Sequence, residues 1–235
     1  MIAVYLDIET MGLNRYENVI TVISVVVEDT ATQEILKEHT YNICLAVENG
    51  TENDLKRSLY SLLQGCDSIV AYNGILFDMP FIAHWLSPVL AVEMAASWEP
   101  KILDFYKVAE AQLNCRVGMQ KMCSDNGIEM SKSGTGLQAI QWARDREWEK
   151  LETYCMQDVK VMLALTHFAR TNTVVAKSYR RGNDMLATTA HFKLGEDMRC
   201  EIVSASNATG PRAYKYTFNL DTVFGTETST DRKDA

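Results

Sequence analysis

With 235 residues, 47% hydrophobic and 23% charged, the chain has the composition of a globular protein in water. Its length suits one domain with a substantial core. The net charge of −8 excludes a basic, sequence-blind nucleic-acid coat and leaves room for a protein that grips only a few nucleotides. Six cysteines without a C-x-x-C pair, beside four histidines, argue against structural zinc and for a reducing compartment.

The chain opens MIAVYLDIET, an apolar run too short for a secretory signal and interrupted by Asp7. It holds no stretch near the roughly 20 apolar residues of a membrane span. The expectation is a cytoplasmic, non-secreted protein with no membrane partner. Ile2–Leu6 reads as a buried strand that delivers an acid at its end. Val19–Val27 and Glu34–Cys44 read as a hairpin around the polar turn Glu28–Gln33. Glu52–Leu63 has helical spacing, and Ser68–Tyr72 reads as a further strand. Met79–Leu90 is expected to be a helix, since Pro80 is tolerated in a first turn. Lys101–Leu103 reads as a strand, with a helix from Asp104 to about Leu113 and a short one over Met119–Asn126 closed by Gly127. Ser131–Gly136 (SKSGTG) is a loop leading into a helix near Leu137–Ala143. Glu147–Ala169 is the longest helix, with Trp148, Leu151, Cys155, Val159 and Met162 as its buried stripe.

After Arg170 the pattern changes. Arg199–Ala205 and Tyr214–Leu220 alternate and read as a hairpin across NATGPR, while Gly225–Ala235 lacks apolar anchors and is expected to be disordered. This order predicts an α/β fold, a three-layer mixed sheet flanked by helices with an antiparallel hairpin beside parallel strands.

Four acids stand out by position. Asp7 and Glu9 are two apart on a strand, so they share a face. Carboxylates so placed repel unless a cation joins them, and hard oxygen ligands favour magnesium or manganese. A solvated strand end is the plain alternative, and D-x-E alone does not separate the two. Asp78, in AYNGILFDMPFI, sits directly before an apolar helix, where an acid also serves as an N-cap. Tyr154 and Asp158 are four apart on the long helix and share a face at the edge of its apolar stripe. An aspartate wedged beside Cys155, Val159 and Met162 needs a partner, and a metal supplies one.

In order, D-x-E, N-x-x-x-F-D and Y-x-x-x-D resemble the three motifs of the DEDD 3′–5′ exonuclease superfamily, in its tyrosine-bearing branch. YLDIETMGL matches the first, NGILFD the second and YCMQD the third. The resemblance spans about residues 1–170. It implies a ribonuclease H-like core there; beyond it, the pattern of the chain itself reads as an extension over 171–224 packed on that core, with the hairpin above inside it, and the tail over 225–235. The resemblance further implies a cofactor of two divalent ions, Mg2+ or Mn2+, held by Asp7, Glu9, Asp78 and Asp158. Asp7 would bridge both ions. Glu9 and Asp158 would help hold the ion carrying the attacking water, Asp78 would serve the other, and Tyr154 would orient the water. Thr10, Met11 and Gly12 would lie along the terminal nucleotide, with Leu13 as an apolar wedge against the last base. Asn73 and Phe77 would line the same pocket, Phe77 having plain core packing as its alternative. No histidine stands where the superfamily's histidine branch places one before Asp158.

The partner so implied is the 3′ end of a single-stranded nucleic acid, DNA or RNA, with a slight leaning to DNA. The product is nucleoside 5′-monophosphates. The competing readings are a non-catalytic nucleic-acid or protein-binding module on the same fold, and a structure-specific endonuclease. Retention of all four acids and the tyrosine weighs against the first, while the Y-x-x-x-D helix and Leu13 weigh against the second. Asp104 reads as a helix cap, with a fifth site acid as the alternative. Lys132, with Gly134 and Gly136, reads as exposed linker before phosphate contact, and Arg180–Arg181 as a solvated turn before a phosphate contact. Trp85, Trp98, Trp142 and Trp148 read as core or half-surface residues and not as base-stacking platforms.

Overall fold

The computed structural model describes residues 1–113, 115–129, 134–179 and 187–205. Lys132, Arg180, Arg181, the segment 214–220 and the tail 225–235 lie outside the described residues. Five strands make the main sheet: β1 (Ile2–Thr10), β2 (Ile20–Asp29), β3 (Glu34–Asn42), β4 (Ser68–Ala71) and β5 (Ile102–Asp104), in the order β3-β2-β1-β4-β5. β2 and β3 run antiparallel to their neighbours, whereas β4 and β5 run parallel to β1 and to each other, so the sheet is mixed.

Nine helices flank or follow these strands among the described residues. They are α1 (Ile43–Glu48), α2 (Glu52–Gly65), α3 (Asp78–Leu86), α4 (Ala91–Trp98), a 3₁₀ turn (Glu99–Lys101), α5 (Phe105–Leu113), α6 (Met119–Asp125), α7 (Gly136–Arg144) and α8 (Trp148–Thr171). The pleat of β1 divides them into two layers. Ala3 and Tyr5 join Val26, Phe105, Val159, Met162 and Leu165 on one face, while Val4, Leu6 and Ile8 join Leu59, Leu63, Ile82 and Trp98 on the other. The expected three-layer α/β architecture is the observed one. No helix among the described residues is long and apolar enough to cross a membrane.

Several expected elements differ. Met79–Leu90 is not one helix: α3 stops at Leu86, with Ser87 extended (φ −158°, ψ 105°) because the following Pro88 disfavours helical backbone there, and α4 starts afresh at Ala91. β3 ends at Asn42, short of Cys44, because the Asn42 side chain accepts from the Leu45 N–H at 3.0 Å and caps α1. Beyond α8 a second sheet forms in the order β6-β7-β8, from β6 (Val174–Tyr179), β7 (Ala187–Leu194) and β8 (Cys200–Ala205). The strand expected at Arg199–Ala205 thus pairs with β7, across the turn closed by Gly195 N–H to Arg199 O at 2.9 Å.

This second sheet buries Val174, Ala176, Ala190, Phe192 and Leu194 in the same core that holds α5 and α8. Asn126 docks its edge, because the side-chain amide donates to Val175 O and accepts from Val175 N, both at 2.8 Å. A buried polar knot ties β2 to α8. Glu28, fully buried, accepts from the Tyr5 hydroxyl at 2.6 Å, lies 2.6 Å from His167 Nε2, and takes two N–H bonds from Arg170 at 3.1 and 3.2 Å.

Candidate active site

β1 continues through both of its acids instead of stopping at Asp7. Its parallel pairing with β4 covers only Ala3 to Tyr5, whereas its antiparallel pairing with β2 runs to Thr10. Beyond Tyr5 the strand therefore has a free edge, and the turn after β4 enters there. The Ile8 N–H, which has no ladder partner on that side, donates to Asp78 Oδ1 at 3.1 Å. Asp78 is 3% exposed and is the first residue of α3, so its helical position and its bond to β1 are fixed together.

Asp7 and Glu9 share the face of Ala3 and Tyr5, which α8 covers. Helical spacing turns Tyr154 and Asp158 toward them. Ligand oxygens of Asp7, Glu9 and Asp158 lie within 4.8 Å of one another. Asp78 stands beside this triad and outside its 4.8 Å limit, close enough that its charge acts on Asp7 and Glu9.

Confinement raises the carboxyl pKa values. Burial first, then the charges of Asp78, Glu9 and Asp158, hold Asp7 well above the carboxylate range. Burial, with Asp158 and Asp78, pushes Glu9 up to about 8. Burial pushes Asp78 up to about 7 against backbone N–H bonds from itself and Ile8, with Asp104 adding to the rise. Asp158 rises to about 6 by burial, opposed by a hydrogen bond from Tyr154. The Tyr154 phenol is itself raised by burial and by Asp158, Glu9 and Asp7, so it remains a protonated donor at neutral pH. Its ring rests edge-on against Trp142, centroids 5.8 Å apart. Gly134 crosses over the pair, and a Cβ there would stand 2.5 Å from the Trp142 ring.

Sequence reasoning placed Cys155 in the apolar stripe and missed its second contact. Its thiol donates to the Asp7 carbonyl at 3.4 Å and toward Asp7 Oδ2 at 3.7 Å, from beneath the triad. The signal available was a thiol directly between Tyr154 and the remaining motif residues. Asp104, weighed above as a cap or a fifth acid, spends its oxygens on backbone N–H groups of Asn73, Ile75, Tyr106 and Lys107.

The residues expected along a nucleotide are spread differently. Thr10 is buried and its hydroxyl donates to Gly12 O at 2.6 Å. Met11, like Tyr154 and Trp142, packs against the cluster of Val22, Ala139, Ala143, Leu151 and Cys155, and Gly12 lies against the Asn18 amide, where a Cβ would come within 2.5 Å. Leu13 projects from the loop tip, 85% exposed. Asn73 takes a left-handed φ of 65°, and Phe77 packs against Phe81 with centroids 4.9 Å apart and rings tilted by 51°, half in the core.

The RNase H superfamily model matches residues 4–169, and the chain belongs to that superfamily. No curated protein matches the sequence. Among solved structures the chain is similar to product-bound exonuclease I, at 14% identity and a TM-score of 0.49, covering 73% of this chain and 43% of that one. E. coli exonuclease I with a dT13 oligonucleotide is similar at 13% identity and 0.48, covering 73% and 41%. The zinc-bound E. coli exonuclease I complex with single-stranded DNA is similar at 14% and 0.47, covering 70% and 39%. Each of these matches spans less than half of the solved chain.

Proposed function

We propose that the protein is a divalent-metal-dependent 3′–5′ exonuclease of the tyrosine-bearing DEDD type, releasing nucleoside 5′-monophosphates from a single-stranded DNA or RNA end. One observation carries the reading. Three carboxylates from β1 and α8 converge within 4.8 Å, and none of them forms an ion pair with a lysine, arginine or histidine among the described residues. Such a cluster is unfavourable unless it takes up protons or cations.

The donor set fits the cofactor. All-oxygen ligands on rigid elements suit Mg2+ or Mn2+ and disfavour soft metals. Asp7, Glu9 and Asp158 would hold one ion, and Asp7 with Asp78 a second. Bound there, the ions would supply Lewis-acid stabilisation of charge on the scissile phosphodiester and acidify the attacking water. The chain's own groups do the rest. The Tyr154 hydroxyl, kept protonated, orients the water and steadies Asp158, while Trp142 fixes its ring. Leu13 offers an exposed apolar face for the terminal base. The Asp78–Ile8 bond keeps that carboxylate at the strand edge. With a net charge of −8 the chain suits contact with few nucleotides, so binding should show a shallow salt dependence.

The test uses single- and double-stranded DNA and RNA, labelled at either end, incubated with Mn2+ or EDTA. A ladder of 5′-monophosphates from the 3′ end, lost in EDTA and in Asp7→Ala, supports the reading. Internal cuts would instead indicate an endonuclease, and metal-independent binding without cleavage a binding module.

A further inference from the structure

We propose that Asp104 is the positioning residue for Asp78, setting through the turn after β4 where that acid stands at the edge of β1. The inference rests on the nuclease reading above. Asp104 ends β5 and is 3% exposed. Its Oδ1 accepts from Asn73 N–H at 2.9 Å, Tyr106 N–H at 3.0 Å and Lys107 N–H at 3.3 Å, and its Oδ2 from Ile75 N–H at 3.1 Å. The bonds to Tyr106 and Lys107 serve the first turn of α5. Those to Asn73 and Ile75 reach into a different element, and helix capping does not require them.

That turn needs an outside hold. Asn73 occupies left-handed backbone at φ 65°. Gly74 presses so closely on Ala71 that a Cβ would lie 2.3 Å from the Ala71 Cβ. α3 begins with Phe77 at its N-cap, which supplies no side-chain cap. Phe77 N–H to Asn73 O at 3.1 Å and Met79 N–H to Gly74 O at 2.9 Å then pass the turn's geometry on to Asp78. A series of hydrogen bonds thus runs from β5 through Asp104, the turn and Asp78 to the Ile8 N–H on β1. A carboxylate suits this place because both its oxygens only accept, whereas an amide would present two N–H groups to backbone donors. With its oxygens so occupied, Asp104 acts through Asp78 and does not itself serve as a ligand.

Asp104→Asn keeps the shape and disturbs the acceptors. Supporting groups of this kind typically change metal affinity or activity by about 10- to 100-fold. Mn2+ titration followed by electron paramagnetic resonance should show one ion held as in wild type and the other weakened by about tenfold or more. Cleavage should lose kcat with KM little changed. In the Asp78→Asn background, adding Asp104→Asn should cause no further loss of either quantity. Asn126→Ala, which loosens β6 and removes no bond to the turn or to Asp104, is the control for general destabilisation. If Asp104→Asn does not fold, Asp104→Ser keeps a side-chain acceptor for the first turn of α5, gives up the second carboxylate oxygen that holds the turn, and should weaken the same ion.

Wild-type Mn2+ binding in Asp104→Asn, a kcat loss no larger than that of Asn126→Ala, or additive losses with Asp78→Asn would each overturn the positioning role alone. A wild-type protein that neither binds Mn2+ nor cleaves would overturn the nuclease reading and this inference with it.

Discussion

Stripped of metal, the protein should lose stability as pH rises through neutrality and recover it when Mn2+ is added. Ligand oxygens of Asp7, Glu9 and Asp158 stand within 4.8 Å. At an effective dielectric constant near 20, two unit charges at that separation repel by about 3 kcal/mol. Three such pairs would cost about 10 kcal/mol, comparable to the whole stability of a domain. The metal-free site therefore retains protons, as the rise of Glu9 to about 8, Asp78 to about 7 and Asp158 to about 6 expresses. An acid raised in the folded state carries no penalty below its unfolded pKa. The penalty accumulates as pH climbs toward the folded value and levels off above it. His39 and His84, lowered chiefly by burial, change stability in the opposite sense, but only up to their unfolded pKa near 6.5. Between about pH 6.5 and about pH 8, one to two withheld protons at about 1.4 kcal/mol per pH unit amount to about 3 kcal/mol. In a chain of this size that is about 6–12 °C in melting temperature. Differential scanning fluorimetry in EDTA and in millimolar Mn2+ reads it directly. Mn2+ should remove the slope, and Asp7→Asn should flatten it without metal. EDTA melts that do not change over this range, with no Mn2+ shift, would refute the reasoning.

Tyr154→Phe should bind Mn2+ normally yet lose about tenfold to hundredfold in kcat, since it removes the oriented hydroxyl and leaves the four acids; calorimetry beside a cleavage assay separates the two. Leu13→Ala, at a side chain 85% exposed, should leave the melting temperature within about 1–2 °C and raise KM for the nucleic acid. Glu28→Gln strands the Arg170 guanidinium in the interior and should cost about 3–5 kcal/mol by chemical denaturation, with the Mn2+ response intact.

The central strand, the long helix and the acids were legible because each is a strong local pattern. An apolar run interrupted by D-x-E, and Tyr154 and Asp158 one turn apart, show in the letters alone. What was hidden depended on tertiary partners. α1 exists because Asn42 caps it, and propensity alone favoured continuing the strand. The division of α3 from α4 turned on the restriction that Pro88 places on Ser87, which helical spacing does not reveal. β6 and β7 pack on α5, α6 and α8, and their sequences (VVAKSY and ATTAHFKL) are too short and mixed to announce it. Asp104 looked like a cap because two of its four bonds are those of a cap; the other two join residues 29 and 31 positions away.

Two sets of buried acids in this molecule are solved in opposite ways. Glu28 is buried on the same sheet, and desolvation alone would raise it. Bonds from Tyr5, His167 and Arg170 more than reverse that, so its carboxyl sits below the ordinary value and the protein supplies its own counter-charge. The stability it contributes is present above the unfolded carboxylate pKa and disappears as acid carries the pH down through the lowered one. Around Asp7, Glu9 and Asp158 the neighbours are other acids, a tyrosine and a thiol, and every carboxyl moves upward. A fold able to place the Arg170 guanidinium and the His167 ring beside Glu28 places neither at the end of β1. Stability alone gives no reason for that difference. A site whose counter-charge arrives from solution as a divalent ion does.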